Sequence, residues 1–422
     1  MKNSITITQM MKAAQELKRQ GEKFSLLGIG PMSKKLIRAV VELAGERDFP
    51  VMLIASRNQV DSDEFGHGYV CGWDQDRFVA DVKAAEEEAG FNGLLYLCRD
   101  HGGPWQRDEE RRAALPTDEA MEIGIRSYIH DMESGFDLLH IDPTKDPHIT
   151  GVVPLDVVLE RTVTIIDRLE AYRKEKGLPH IGYEAGTEET NGGLTSIDAF
   201  GNFVEALCAE LAKKGLNPPE FVVGQTGTLT RLTENVGSYN TENARALSLC
   251  AGKHGVGLKE HNGDYLRDSI LLEHPVVDVT AMNVAPEFGV VETRAYLELA
   301  DMEGRNVPAE KRSCLRRVMT EYAVKSERWR KWVVGDMAGA DVATVLKDEQ
   351  TSALILDICG HYTYEIPEVK EQLNKMIRNL EEIGTDADAY VIRKIKDSID
   401  RYAFCFGMYG LTSKLLACAE KL

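Results

Sequence analysis

From residue 24 to 303 the chain alternates short apolar runs with longer stretches whose apolar positions recur every three or four residues. The runs are SLLGIG (25–30), VMLIAS (51–56), LLYLC (94–98), DLLHID (137–142), IGYEAG (181–186), FVVGQ (221–225), VGLKEH (256–261) and VVDVTAMNV (276–284). Between them, segments such as 76–90, 117–135, 155–176 and 195–215 carry the 3.6-residue spacing of amphipathic helices. Strand-length runs alternating with helices predict βαβ units and a parallel sheet. Eight such units in about 280 residues fit a closed (β/α)8 TIM barrel better than an open doubly wound sheet, an α/β fold that usually has fewer strands. GIGPMS supplies only the first two glycines of a G-x-G-x-x-G turn, so no dinucleotide site is expected there.

Ahead of the first run, MKNSITITQMMKAAQELKRQ reads as an amphipathic helix. Beyond about residue 303 the rhythm changes: 305–334, 367–384 and 388–420 are helical by pattern, with no strand of comparable strength between them. The expected organisation is a barrel over 1–303 and a helical C-terminal extension over 304–422 packed on it. No Pro/Gly/Ser-rich linker separates the two.

Composition narrows the partners. A formal charge of −18 argues against nucleic acid, whose phosphates demand clustered Lys and Arg. An anionic substrate would need a local group of donors, because the overall field repels it. No run is long enough to span a bilayer, and the N-terminus lacks the apolar core of a signal peptide. The eight cysteines are dispersed, without a C-x-x-C pair, and read as reduced buried thiols of a cytoplasmic protein. Association of the chain with copies of itself is expected.

In such a barrel the active site forms at the C-terminal ends of the strands. Asn58 and Gln59 follow the second run, Asp100 and His101 the third, and Asp142 closes the fourth. Glu184, Glu188 and Glu189 lie along and after the fifth, Gln225 ends the sixth, His261 and Asp264 follow the seventh, and Asn283 lies in the eighth. Two histidines and a carboxylate from three strand ends, His101, His261 and Glu188, form a plausible ligand set for a divalent metal such as zinc. With an open position, that ion would polarise a carbonyl or a pair of vicinal oxygens. Neighbours on an extended segment point opposite ways, so of Asp100 and His101 one is expected to ligate and the other to move protons. Asp100 and Glu189 are the catalytic candidates, and Asn58, Gln59, Asp142, Gln225, Asp264 and Asn283 the substrate-binding ones. Taken singly, each has an ordinary explanation as a solvated or capping side chain; the joint pattern carries the reading. His140 is read as a satisfied core histidine, and His67 is left open. Gly192–Gly193 and GQTGT (224–228) offer backbone donors, but loop turns need glycine in any case.

These motifs resemble a known family. Asn58-Gln59-Val60, Asp100-His101-Gly102-Gly103-Pro104, Gly186-Thr187-Glu188 followed by Gly192-Gly193, GFDLLHID (135–142), and His261 with Asp264-Tyr265 look like the motifs of the class II tagatose-bisphosphate aldolase Z-subunit family. HYTYEIPEVKEQL (361–373) echoes its C-terminal part. The resemblance implies a metal-dependent barrel with an aldol/retro-aldol toolkit for a sugar or sugar phosphate that is a ketose. It also implies two other roles: an accessory subunit supporting a separate class II aldolase catalytic subunit, or a C4 epimerase of a ketose, ketose phosphate or keto sugar acid. Two departures stand out. Gly30-Pro31-Met32 occupies the place of a Ser-Ala-His-Pro stretch, and an arginine-bearing C-terminal stretch is replaced near Cys359-Gly360-His361. Arginine is the usual bidentate partner of phosphate, so its loss points to an unphosphorylated or acidic sugar.

Overall fold

A computed structural model of the chain describes residues 4–187 and 192–422. Every apolar run contains a parallel strand: β1 (Leu26–Ile29), β2 (Val51–Ser56), β3 (Leu95–Gly102), β4 (Leu138–Ile141), β5 (Gly182–Ala185) and β6 (Phe221–Val223). A short hairpin follows, β7 (Thr230–Arg231) with β8 (Glu234–Asn235), and then β9 (Gly257–Glu260) and β10 (Ala281–Val284). The strands close in the order β1-β10-β9-β6-β5-β4-β3-β2, the barrel expected from the rhythm. Near-continuous apolar runs such as VMLIAS belong to strands covered on both faces, and β2 is buried from Val51 to Ala55. The eighth run is longer than its strand, since only Ala281–Val284 of 276–284 pairs.

The N-terminal helix Ile7–Arg19 is fixed by a capping box between Thr6 and Gln9. It buries Ile7, Met10, Met11 and Leu17 and packs on the last helix, Leu411–Ala419. Tyr96 donates to the Ile5 carbonyl at 3.2 Å, so this segment covers the N-terminal end of the barrel. The mouth is left to the loops and to the extension.

Two buried arginines hold the loops after β2 and β3. Arg99 grips Asp131 through two bonds of 2.8 and 2.5 Å and donates to the carbonyls of Ala55 and Val60. Arg57 pairs with Asp61 and Glu110 and donates to the Gly103 carbonyl at 2.9 Å. The loop bearing Asn58 and Gln59 and the end of β3 bearing Asp100 and His101 are therefore braced by charge-assisted bonds as well as by strand pairing.

The expected boundary at 303/304 lies inside a helix, Pro286–Asn306, which begins with proline at its first turn and runs unbroken past it. The segment 305–334 holds one regular helix, Leu315–Lys325, because Pro308 and a polar stretch interrupt the pattern. Val342–Lys347 and Glu349–Cys359 are helices the periodicity missed; both are short, and Asp348 ends one while capping the next. After β9 the barrel helix shrinks to Asp268–Leu271, and the long helix Ala387–Cys405 packs against it, Lys34–Arg47 and Pro286–Asn306. Barrel and extension share one apolar core running from Ile7 to Cys418. A smaller core inside the extension, around Trp329, Ile355 and Ile358, packs on Leu232 in the β7–β8 turn. The eight cysteines are all free, and among the described residues no helix is long and apolar enough to cross a membrane.

Removing one partner of a buried ion pair strands the other charge, at about 3–5 kcal/mol. Asp131→Ala, which leaves Arg99 without its carboxylate, is expected to lower the unfolding free energy by that order in urea denaturation. An unchanged midpoint would show that the backbone carbonyls alone suffice for Arg99.

Candidate metal centre

Residues two apart on a strand share a face. That rule turns His140 and Asp142 of the β4 segment, Glu184 of β5, and Lys259 and His261 of the β9 segment toward the barrel interior, where all are buried. β3 breaks the rule at its end. Its register with β4 shifts between Arg99 and Gly102, and His101 takes φ +44°, in the left-handed region. Asp100 and His101 therefore reach the same cluster, instead of pointing apart as an extended segment would require. Glycine is needed just beyond: a Cβ on Gly102 would lie 2.4 Å from the Tyr128 ring, and Gly103 has φ +107°.

His101 Nδ1 lies 2.6 Å from Asp142 Oδ2, while Asp142 Oδ1 accepts from the Thr144 amide and hydroxyl at 3.2 and 2.5 Å. The carboxylate so held aims His101 Nε2 at His261 Nδ1, 3.0 Å away. His261 Nε2 lies 3.1 Å from Glu184 Oε1. His140 Nδ1 accepts from the His101 amide at 3.2 Å, and His140 Nε2 is buried without a partner. One nitrogen from each of His101, His140 and His261 lies within 4.8 Å of the others. Three convergent imidazoles, one with an orphaned buried nitrogen and two meeting nitrogen to nitrogen, fit a divalent cation, which would take their lone pairs together. Asp142 would then play the carboxylate that orients a ligating histidine from behind.

Charge in the site is tightly paired. Lys259 Nζ lies 2.6 Å from Glu184 Oε2, both groups buried. Burial pushes the Glu184 carboxyl up, but Lys259, His140 and His261 outweigh it and hold it at about 2. Burial likewise opposes ionisation of Asp100, and the three histidines still hold it well below the usual carboxylate range. For His101, burial is outweighed by Asp100 and Asp142, which raise it; for His261 burial prevails and lowers it. Asn283 Nδ2 donates to Asp100 Oδ1 at 2.9 Å. Above this floor opens a cleft of about 320 Å³, lined among others by Asn58 and Gln59 and by Trp332, His361 and Tyr362 of the extension.

Over residues 11–394 the sequence matches the family described as D-tagatose-1,6-bisphosphate aldolase subunit GatZ/KbaZ-like. The chain belongs to this family. Among solved structures, a probable tagatose 6 phosphate kinase from Sinorhizobium meliloti 1021 superposes with a TM-score of 0.75 at 20% identity, covering 90% of this chain and 100% of that one. The fructuronate-tagaturonate epimerase UxaE from Cohnella laeviribosi gives 0.55 at 12% identity over 92% of this chain and 82% of its own. Fructose-bisphosphate aldolase from Campylobacter jejuni gives 0.51 at 12% over 96% of each. At these identities the likeness is one of fold.

Of the residues singled out in this GatZ/KbaZ-like sequence, the structure brings Asp100, His101, His261 and Asn283 together and sets Asn58 and Gln59 in the cleft wall. Glu188 and Glu189 lie outside the described residues. Asp142 serves His101 instead of facing substrate, since both its oxygens are engaged. Asp264 is not in the cleft wall either: Oδ1 accepts from the amides of Ala285 and Glu287 at 3.1 and 2.8 Å, capping the helix Pro286–Asn306. A helix N-terminus with unpaired amides claims a nearby carboxylate. Gln225 pairs its backbone with Thr195, and the described lining of the cleft does not include it. The GQTGT loop braces the site, as Thr228 Oγ1 donates to the His261 carbonyl at 2.8 Å. His67 is exposed, 3.6 Å from Asp63.

Three residues take a larger part in the site than the strand-end pattern predicts. His140 is not a satisfied core histidine, because its Nε2 lacks a partner and its ring faces the other two. Glu184 and Lys259, which the strand-end pattern leaves without a role, form a buried ion pair. The sequence carries a signal for it: Lys259 is the only lysine or arginine in the eight apolar runs, and a charge inside a barrel strand demands a buried partner.

With His140 in the ligand set, purified protein should carry stoichiometric zinc or cobalt in elemental analysis, and both His140→Ala and His261→Ala should lose it. His67→Ala should keep it. Full metal content in His140→Ala would remove that residue from the set.

Proposed function

We propose that this chain carries out metal-dependent aldol and retro-aldol chemistry on a ketose or keto sugar acid. The observation that carries the reading is the meeting of His101, His140 and His261 beside Asp100 on the floor of a covered cleft. A divalent ion held by those histidines, zinc being well suited to imidazole ligands, would supply Lewis acidity toward a carbonyl and an adjacent hydroxyl.

The remaining work falls to the protein. Asp100, ionised and fixed by Asn283, takes the proton from the substrate hydroxyl next to the bond that breaks. The C–O bond of that fragment becomes a carbonyl, and the electron pair of the severed C–C bond passes to the ketose fragment. In the reverse direction Asp100 returns the proton to the new hydroxyl. Asp142 keeps the His101 ring from turning, and Lys259 keeps Glu184 ionised beneath the imidazoles. Asn58 and Gln59 hold substrate oxygens at the wall.

A second reading, epimerisation at C4, is favoured by the extension over the cleft. A fragment that cannot leave can turn and recombine on its other face, and the cover supplied by Trp332, Ile358, His361 and Tyr362 would retain it. The name of the family supports a third role, that of a subunit beside a class II aldolase catalytic partner.

Asp100→Asn keeps shape and removes the base. Its kcat on the responsive member of a panel of ketoses, ketose phosphates and keto sugar acids is expected to fall by about 10² to 10⁴, with folding and metal content kept. NMR of the products separates cleavage from C4 inversion. Absence of turnover by the wild-type chain on the whole panel, with a partner aldolase activated equally by wild type and variant, would establish the accessory role instead.

A further inference from the structure

The cleft has a second chemical character away from the histidines. His361, in the one-turn segment Gly360–Thr363, is 5% exposed, lines the cleft, and has a partner on neither ring nitrogen. Gln106 is 2% exposed; its Nε2 donates to the Asp142 carbonyl at 2.7 Å, which leaves Oε1 buried and unpaired in the same cleft. Thr230 of β7 also lines the cleft with an unpaired buried hydroxyl. These atoms come from three separate parts of the chain, the loop after β3, the β7–β8 hairpin and the extension. Buried polar groups are costly to leave unpaired, and convergent orphans in one cavity mark the place of a ligand's polar atoms.

We infer that this part of the cleft is a subsite for the uncharged, hydroxyl-bearing end of the substrate, read by His361, Gln106 and Thr230. The inference rests on the reading of the cleft as a sugar site and adds which end of the sugar lies where.

The lining favours an uncharged terminus here. Among the described lining residues Lys145 is the only lysine or arginine, and it acts at the floor, within electrostatic reach of His101 and Asp142. The cation that acts on His361 is Arg328, whose guanidinium stacks on the rings of Tyr69 and Tyr362 at 4.6 and 4.8 Å. Burial, with Arg328 behind it, pushes the His361 imidazole down to about 3, so at neutral pH it offers one donor and one acceptor without charge. That set matches a hydroxyl group, whereas a phosphate dianion would meet only Lys145 of the described lining, at the floor, with Arg328 held behind the rings of Tyr69 and Tyr362. Trp332 and Ile358 supply apolar wall for the carbon chain. His361 itself is held in place, since a Cβ on Gly289 would lie 3.0 Å from its ring, and Tyr362 packs 4.0 Å from it between centroids.

The test titrates sorbitol and sorbitol 6-phosphate into the full-length, metal-loaded protein by calorimetry, for wild type, His361→Leu, His361→Gln and Thr230→Val. Wild type is expected to bind sorbitol more tightly than its phosphate ester. His361→Leu should weaken sorbitol about tenfold at an unchanged melting temperature, His361→Gln much less, and Thr230→Val several-fold, as loss of one neutral hydrogen bond does. Should His361→Leu fail to fold, Thr230→Val and His361→Gln carry the comparison. Tighter binding of the phosphate ester, no sorbitol binding by wild type, or unchanged affinity in His361→Leu would each overturn the subsite. A polyol undergoes no aldol cleavage, so this measurement stands apart from the turnover assay on Asp100.

Discussion

The buried pair of Lys259 on β9 and Glu184 on β5, 2.6 Å apart over the intervening strand β6, is the constraint on which the centre depends. A carboxylate sealed inside a barrel stays ionised only beside an opposite charge. Lys259 provides that charge from β9, and its position two residues before His261 sets both side chains on one face. Glu184 in turn faces His261 at 3.1 Å and His140 at 3.6 Å. Three imidazoles could otherwise meet only at the expense of mutual repulsion whenever one took up a proton. An anion beneath them, itself neutralised by Lys259, lets them converge.

Around that floor the supports are polar and specific. Asp142 fixes the His101 ring, Thr144 fixes Asp142, and the Tyr128 hydroxyl donates to the His140 carbonyl at 2.6 Å. The buried guanidiniums of Arg57 and Arg99 tie down the loops behind. Bracing of this kind is what the positioning of reacting groups requires.

The C-terminal extension is part of the site as well as of the fold. Its long helix Ala387–Cys405 fills the side of the barrel where the helix after β9 is only four residues long. Its 3₁₀ and short helical segments place Trp332, His361 and Tyr362 over the mouth. The three imidazoles thus sit on strand ends, and much of the cleft wall above them sits on the extension. This division suits a fold that keeps one toolkit and varies its substrates.

Much of the architecture was legible in the chain alone. Apolar runs and the 3.6-residue period are local properties, so the eight strand runs and the helices between them could be read directly, and with them the barrel and the strand ends bearing Asp100, His101, His261 and Asn283. Contacts between distant segments were not legible. Whether a strand-end carboxylate faces substrate or caps a helix depends on what lies beside it, and Asp264 capping Pro286–Asn306 was settled only by the fold. The convergence of Asp100 and His101 follows from a left-handed residue at a register shift, which no periodicity encodes. His140 and Lys259 looked like residues of buried strands, and they are; what makes them functional candidates is the partner, or the missing partner, across the barrel. His361 belongs to the same class, because a segment about 260 residues beyond His101 covers the cleft only once the extension has folded back over the mouth. Sequence fixes which groups a chain owns and which face of its own element each occupies; pairing between elements is a tertiary property, and the chemistry of this site is made of such pairs.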